Sequence, residues 1–83
     1  MIGMHPGEYI NAVFVEDMKL SQRELADKLD VSPSTVSRIL NSDMAVTAEM
    51  SLKLEKSLGR SAESWLKMQM YYDLNKARAL AAA

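Results

Sequence analysis

The amino-acid sequence predicts an all-α fold of five short helices in one domain, residues 1–83. Apolar residues recur at intervals of three and four, the spacing of a helix face, rather than in the alternation typical of strands. Residues that favour helix N-caps stand before most of these apolar segments. With 83 residues, 48% of them hydrophobic and 25% charged, the chain is long enough for one core and too short for two.

The first two predicted helices have recognisable start signals. Pro6 suits the first position of a helix, where its missing N–H is not needed, and this helix is predicted to end near Leu20. Ser21 is the predicted cap of the second helix, and Glu24 completes a capping box with it. The apolar positions are Ile10, Val13, Phe14 and Met18 in the first helix and Leu25, Ala26 and Leu29 in the second.

The third helix follows after a very short turn. Asp30 tolerates the left-handed conformation that such a turn requires. Ser32 is a second N-cap, Pro33 fits the first helical position, and the helix is predicted to end near Leu40. Its apolar face contains Val36, Ile39 and Leu40, and turn-forming residues follow at 41–43.

Two further helices complete the predicted fold. Thr47 is the predicted cap of a fourth helix that ends at Leu58, with Gly59 at the left-handed position after it. Ser61 is predicted to cap a fifth helix over residues 61–76. The alanine-rich tail from Lys76 has good helix propensity but little to pack against, so we expect it to fray.

The predicted core joins the apolar faces of these helices. Its members are Leu20, Leu25, Leu29, Val36, Ile39, Leu54 and Leu58. Trp65 is expected to join them, while Met68, Tyr71 and Tyr72 either cover the domain or form an isologous dimer interface. The three methionines at 50, 68 and 70 have two interpretations, adaptable core or surface packing and a soft surface for a partner.

The composition argues against several classes of function. Without cysteine there is no disulfide framework, thiolate zinc site or cysteine nucleophile. His5 is the only histidine, and no second ligand or nucleophile pattern accompanies it. The sequence contains neither a long apolar run nor a secretion signal, so we expect a cytoplasmic protein. We predict no catalytic residue, no metal and no cofactor.

The informative segment is residues 21–41, SQRELADKLDVSPSTVSRILN. Two short capped helices around a turn of three or four residues form a helix-turn-helix motif, whose second helix can enter the DNA major groove. No acidic residue occurs between Val31 and Ser42, which suits a groove about 12 Å wide that is lined with phosphates. The net charge of −1 is a weak counterargument, because it does not show which face the charges occupy.

Seven residues are predicted to contact DNA. Arg38 is the candidate for a bidentate contact to guanine, and Ser34 and Thr35 are placed to reach base edges beside it. Gln22 and the polar residues that flank the exposed face suit backbone phosphates. Ser32 is also explained as a helix cap alone, and similar helices occur in domains that bind only protein. The predicted set is Gln22, Ser32, Ser34, Thr35, Ser37, Arg38 and Asn41.

Residues 21–41 resemble the helix-turn-helix of the phage-repressor class, the Cro/C1-type or XRE family. Gln22, Ala26 and Val36 carry the resemblance, and Asp30 departs from it, since the family often has Gly at this turn. The segments on either side of residues 21–41 point to one subgroup of this family. HPGE at 5–8, WLKMQ at 65–69 and YDL at 72–74 are similar to HigA-type antitoxins, and the similarity spans about residues 5 to 78.

This resemblance implies a five-helix, phage-repressor-like domain that binds double-stranded operator DNA and forms a homodimer through its C-terminal region. It also implies a partner toxin of the HigB type, which cuts messenger RNA, and repression of the shared promoter. Such a protein associates with the nucleoid when it is bound to DNA. An independent argument for a dimer is that so small a module buries too little surface for strong specific DNA binding.

Two alternatives remain open. The first is a stand-alone repressor of the same fold without a toxin. The second is a helical module that binds only protein, or a small enzyme, although the sequence lacks a Gly-rich phosphate loop and a His pair. A protein-binding module would have negligible DNA affinity at low salt, whereas a DNA-binding domain would have an affinity that falls steeply as salt rises.

Overall fold

A computed structural model describes residues 3–82 of the chain, and within this range it contains five helices and no strand. Helix α1 spans Pro6–Ile10 and continues as a π-helical segment over Asn11–Asp17. The others are α2 (Gln22–Leu29), α3 (Pro33–Leu40), α4 (Ala48–Leu58) and α5 (Ala62–Ala82). The predicted fold class is therefore confirmed.

The π-helical segment was not predicted. Its wider turns are visible in the hydrogen bond from the Met18 N–H to the Val13 carbonyl, five residues back, at 3.1 Å. As a result Val13, Phe14 and Val15 all pack against the core, although consecutive residues of a regular α-helix diverge around its axis. Lys19, just after this segment, has a positive φ of 62°.

Helix α2 begins at the predicted cap and ends in the predicted left-handed turn. The Ser21 hydroxyl accepts from the Glu24 N–H at 3.1 Å, and the Glu24 carboxylate accepts from the Ser21 N–H at 3.1 Å, which completes the capping box. Asp30 is left-handed (φ 54°, ψ 50°), and the Val31 N–H donates to the Ala26 carbonyl at 3.0 Å. This 6→1 bond ends α2 in a Schellman motif.

Helix α4 holds the end of α2 in place. The Ser57 hydroxyl donates to the Lys28 carbonyl at 2.7 Å, and the Lys53 ammonium donates to the Asp30 carbonyl at 3.3 Å. The last carbonyl groups of a helix have no partner within it. These side chains therefore satisfy the end of α2 and fix the first helix of the motif relative to the rest of the domain.

The turn between α4 and α5 differs from the prediction at Gly59. Its φ is positive, 81°, but its ψ of −168° places it outside the left-handed helical region and in one that is essentially restricted to glycine. The Gly59 carbonyl accepts a hydrogen bond from the Trp65 indole N–H at 3.1 Å, and the left-handed residue is instead Arg60. The indole N–H of Trp65 thus bonds to the carbonyl of the residue that has the unusual ψ.

Helix α5 is longer than predicted, because it continues to Ala82 rather than ending near residue 76. The predicted cap is present, since the Ser61 hydroxyl accepts from the Ser64 N–H at 3.1 Å. No Gly or Pro interrupts the sequence after Ser61, and alanine has the highest helix propensity. Helix propensity therefore prevails over the lack of packing in the tail.

The core contains five of the seven predicted members together with Trp65, which is completely buried. Leu20 and Leu58 are only partly buried against it. Among the methionines, Met68 is buried, Met50 is half-buried and Met70 is exposed, so they do not form one stripe. Buried apolar residues that the core prediction omitted are Ile10, Phe14, Ala26, Leu40, Val46, Ala62 and Met68.

The HPGE segment joins the start of α1 to α5. The buried His5 ring accepts through Nδ1 from the Gly7 N–H at 2.9 Å and packs edge-on against Tyr72, with ring centroids 4.9 Å apart. A Cβ atom on Gly7 would collide with the Ile39 carbonyl, so α1 approaches α3 as closely as glycine allows. His5 is thus a buried helix cap.

The Gln69 amide on α5 forms two hydrogen bonds, one with the loop before α4 and one within α5. Its oxygen accepts from the Val46 N–H at 2.8 Å, and its nitrogen donates to the Asp73 carboxylate at 3.0 Å. The segments that carry the resemblance, HPGE and WLKMQ with YDL, are therefore packed together in the fold. Their contacts fix the angle between α1, α5 and the loop before α4.

Candidate nucleic-acid interface

The orientation of α3 is set by its apolar face. Val36, Ile39 and Leu40 are buried, and this leaves the opposite side of the helix on the surface. Ser34, Arg38 and Asn41 are exposed and follow one another at intervals of four and three residues, so they form one stripe along the helix. We call these three residues the α3 outer face.

The N-terminus of α3 carries a cluster of hydroxyl groups. The Ser32 Oγ lies 3.1 Å from the Ser34 Oγ and 2.9 Å from the Thr35 Oγ1, and it accepts from the Thr35 N–H at 3.2 Å. Ser32 therefore caps the helix and also positions the two hydroxyls that were predicted to reach base edges. Thr35 and Ser37 are half-buried at the margins of the outer face.

Gln22 occupies a separate place in the motif. It is the first residue of α2 and is exposed, directly after the capping box formed by Ser21 and Glu24. A helix N-terminus presents backbone N–H groups and positive potential, which suit an anion such as phosphate. Six of the seven predicted residues thus lie on α3 or at its ends, and Gln22 lies at the start of α2.

Carboxylates border this surface without entering it. Asp30 and Asp43 stand directly before and after the segment that lacks acidic residues, and both are exposed. The Asp43 N–H donates to the Arg38 carbonyl at 2.8 Å, while Ser42 is left-handed with a φ of 62°, so α3 ends in the same Schellman motif as α2. The prediction did not name Lys19, which is exposed and lies just before the α2 cap.

His5 is buried, and its Nδ1 already accepts a hydrogen bond from the Gly7 N–H. Within residues 3–82 no group of three or more His, Asp or Glu side chains could hold a metal ion. Burial is the main cause that lowers the pKa of His5, and it outweighs the opposing effects of Glu8, Asp73 and a hydrogen bond with the Met44 backbone. The ring is therefore a neutral structural group near pH 7.

Over the same described range, none of the helices combines the length and apolar character that crossing a membrane requires.

Comparisons with known proteins agree with this geometry. A family model described as helix-turn-helix matches residues 15–65. Virulence-associated protein I from Dichelobacter nodosus is 40% identical over 77 residues, which are 93% of this chain and 71% of that protein.

Two solved structures resemble almost the whole chain. An addiction module antidote protein of the HigA family from Coxiella burnetii has a TM-score of 0.90 and 33% identity, covering 99% of this chain and 89% of that one. The antitoxin HigA of Pseudomonas aeruginosa, solved with the higBA promoter, has a TM-score of 0.89 and 31% identity, covering 96% and 87%. The chain therefore belongs to the helix-turn-helix family and, within it, to the HigA-type antitoxins.

Proposed function

We propose that this protein is the antitoxin of a toxin–antitoxin pair, that it binds the operator of its own promoter, and that it neutralises a HigB-type ribonuclease toxin. The observation that carries the DNA-binding part is the α3 outer face, an exposed polar stripe with one cation and no carboxylate. The similar HigA protein from Pseudomonas aeruginosa, solved with its promoter, supports the same assignment.

In this proposal the seven residues have two kinds of role. Arg38 reads a guanine edge in the major groove, and Ser34 and Thr35 contact neighbouring bases from the hydroxyl cluster. Phosphate contacts fix the register of α3 on the duplex and carry no sequence information themselves. The residues assigned to phosphates are Gln22, Ser32, Ser37 and Asn41.

The proposed active form is a homodimer that is formed through α5. Met70, Tyr71, Leu74 and Leu80 are exposed large apolar side chains on this one helix. A dimer brings two α3 helices to half-sites about 34–36 Å apart, one turn of the DNA, and so supplies the interface area that a single small module lacks. No catalytic residue is assigned, and the proposed activity consists of binding.

The experiment that tests the antitoxin function is a growth rescue. The open reading frame adjacent to this gene is expressed under tight control, with and without this chain. Growth arrest by the neighbour and restoration by this chain is the expected result. A harmless neighbour, or arrest that this chain does not relieve, would leave the alternative of a stand-alone XRE-family repressor.

Operator binding is tested separately, by titration of the upstream DNA at several salt concentrations. We expect an affinity that falls steeply as salt rises, because cationic contacts release counterions from phosphates. Negligible affinity at low salt would instead favour a module that binds only protein.

A further inference from the structure

Between residues 31 and 42, a range that the structure describes in full, Pro33 is the one apolar residue that is exposed. The other apolar residues of this range are buried or half-buried, namely Val31, Val36, Ile39 and Leu40. Pro33 occupies the first position of α3, as its sequence context predicts. That role concerns only the backbone, so the exposed ring itself has no assigned function.

The Pro33 ring belongs to the start of α3, where the hydroxyl cluster lies. It stands in the chain between Ser32 and Ser34, whose Oγ atoms are 3.1 Å apart, and the Thr35 Oγ1 lies 2.9 Å from the Ser32 Oγ. In a recognition helix the N-terminal residues are the ones that contact base edges. With α3 in the major groove, as proposed above, the ring therefore reaches base edges together with these hydroxyls.

The start of α3 is poorly equipped to bind a phosphate. Pro33 has no backbone N–H, and the Thr35 N–H is already donated to the Ser32 hydroxyl at 3.2 Å. No basic residue occurs in the sequence between Lys28 and Arg38. An apolar ring at this place is thus better matched to an apolar group in the groove than to the charged backbone of DNA.

We propose that the Pro33 ring packs on the C5-methyl group of a thymine in each operator half-site, and that Pro33 is a specificity-determining residue. This proposal rests on the operator binding proposed above and names one base that is recognised. Among the four bases only thymine presents a methyl group in the major groove. The proline ring also loses almost no side-chain freedom when it is packed.

A T·A pair also suits the polar neighbours of the ring. Its major-groove edge offers two acceptors and one donor, and the Ser34 and Thr35 hydroxyls can donate or accept. A cytosine in place of the thymine would lack the methyl group and would bring its N4 amino donor next to the ring, which cannot accept a hydrogen bond. Arg38 lies five residues further along α3, about 7.5 Å, so its proposed guanine belongs to another base pair.

The first test removes thymine methyl groups from the DNA and leaves the protein unchanged. Duplexes of the operator carry deoxyuridine in place of each thymine in turn, placed symmetrically in both half-sites, and the dissociation constant is measured by fluorescence anisotropy. Loss of one buried methyl group corresponds to roughly three- to fourfold in affinity. We expect one symmetric pair of substitutions to raise the constant about tenfold and most others to change it little.

The second test asks whether Pro33 senses that methyl group. Pro33→Ser removes the ring and keeps a residue that is compatible with a helix start, so it should bind the thymine and uracil operators equally. Its affinity for the uracil operator should match that of the wild type, which also shows that the variant is folded. The control is Thr35→Ser, which removes a methyl group from the neighbouring residue and should remain as sensitive to uracil as the wild type.

The outcomes separate this proposal from the function on which it rests. A wild-type chain without operator affinity at low salt would overturn DNA binding and the thymine contact together. Specific binding that tolerates uracil at every position would overturn the thymine contact alone. Sensitivity that persists in Pro33→Ser, or that disappears in Thr35→Ser, would assign the methyl contact to another residue and overturn the role of Pro33.

Discussion

Arg38 is the one cation of the α3 outer face, and its replacement tests the recognition assignment directly. Arg38→Ala should weaken specific operator binding by about 1–3 kcal/mol, because a bidentate contact to guanine is lost. Binding to operators altered at single base pairs should show relaxed preference at one position. The control is Lys56→Ala, which removes the same charge from an exposed residue on α4. Equal losses for the two variants would reduce the role of Arg38 to nonspecific charge.

His5 is a residue whose ionisation is coupled to folding. Burial lowers its pKa below the ordinary value of about 6.5, so the unfolded chain binds the proton more readily than the folded chain. The folding free energy contributed by neutral His5 is fully present above pH 6.5 and is lost as the pH falls through the lowered pKa. Protonation would also remove the Nδ1 lone pair that accepts from the Gly7 N–H.

The pH prediction is measured with His5→Asn, which keeps a side chain suited to N-capping but does not titrate in this range. Chemical denaturation at pH 7 and at pH 5 should show a larger loss of unfolding free energy for the wild type than for the variant. Identical pH dependence of the two chains would indicate that His5 is not protonated on unfolding.

At the scale of elements, the turn between α2 and α3 depends on a non-glycine residue in the left-handed region. Asp30→Gly should stabilise the domain by about 0.5–1 kcal/mol, because it relieves the steric cost of a positive φ and removes a negative charge at a helix C-terminus. The interaction of Lys53 with residue 30 involves the backbone carbonyl and survives the change.

Asp27→Gly is the matched control for that substitution. It replaces the same exposed residue type three positions earlier, inside α2, where glycine has a lower helix propensity than aspartate by about a few tenths of a kcal/mol. Denaturant midpoints should therefore move in opposite directions. A loss of stability in Asp30→Gly would mean that the greater freedom of glycine in the unfolded chain outweighs the relief of strain.

The elements differ in how well local sequence predicts them. The caps at Ser21, Ser32 and Thr47 were predictable because each involves a side chain and a backbone N–H three residues away. The π-helical segment and the ψ of Gly59 were not predictable in this way, because their hydrogen bonds span five and six residues and match no cap pattern in the sequence. Among the predicted DNA-contact residues, the exposure of Arg38 could be predicted from the spacing of the apolar residues in α3. The contacts of the Ser34 and Thr35 hydroxyls with the Ser32 hydroxyl could be found only in the structure.

Considered as a whole, the molecule is held together by contacts between its two ends. Tyr9 on α1 packs edge-on against Trp65 on α5, with ring centroids 5.6 Å apart, and the Arg60 guanidinium lies 4.9 Å from the Tyr9 ring centroid. His5 and Tyr72 make a second aromatic contact between the same two elements. The helix-turn-helix therefore depends on a core that α1, α4 and α5 complete.

Trp65 is the residue on which this whole-molecule packing most depends, since it is completely buried and its N–H is bonded to Gly59. Trp65→Ala should destabilise the chain by about 3–5 kcal/mol, a large part of the 5–15 kcal/mol that small domains possess. Trp65→Phe retains an aromatic ring but loses the indole hydrogen bond, so it should unfold at an intermediate temperature. Calorimetry that found unchanged melting temperatures for both variants would contradict the central placement of this ring, and with it the packing that orients α3.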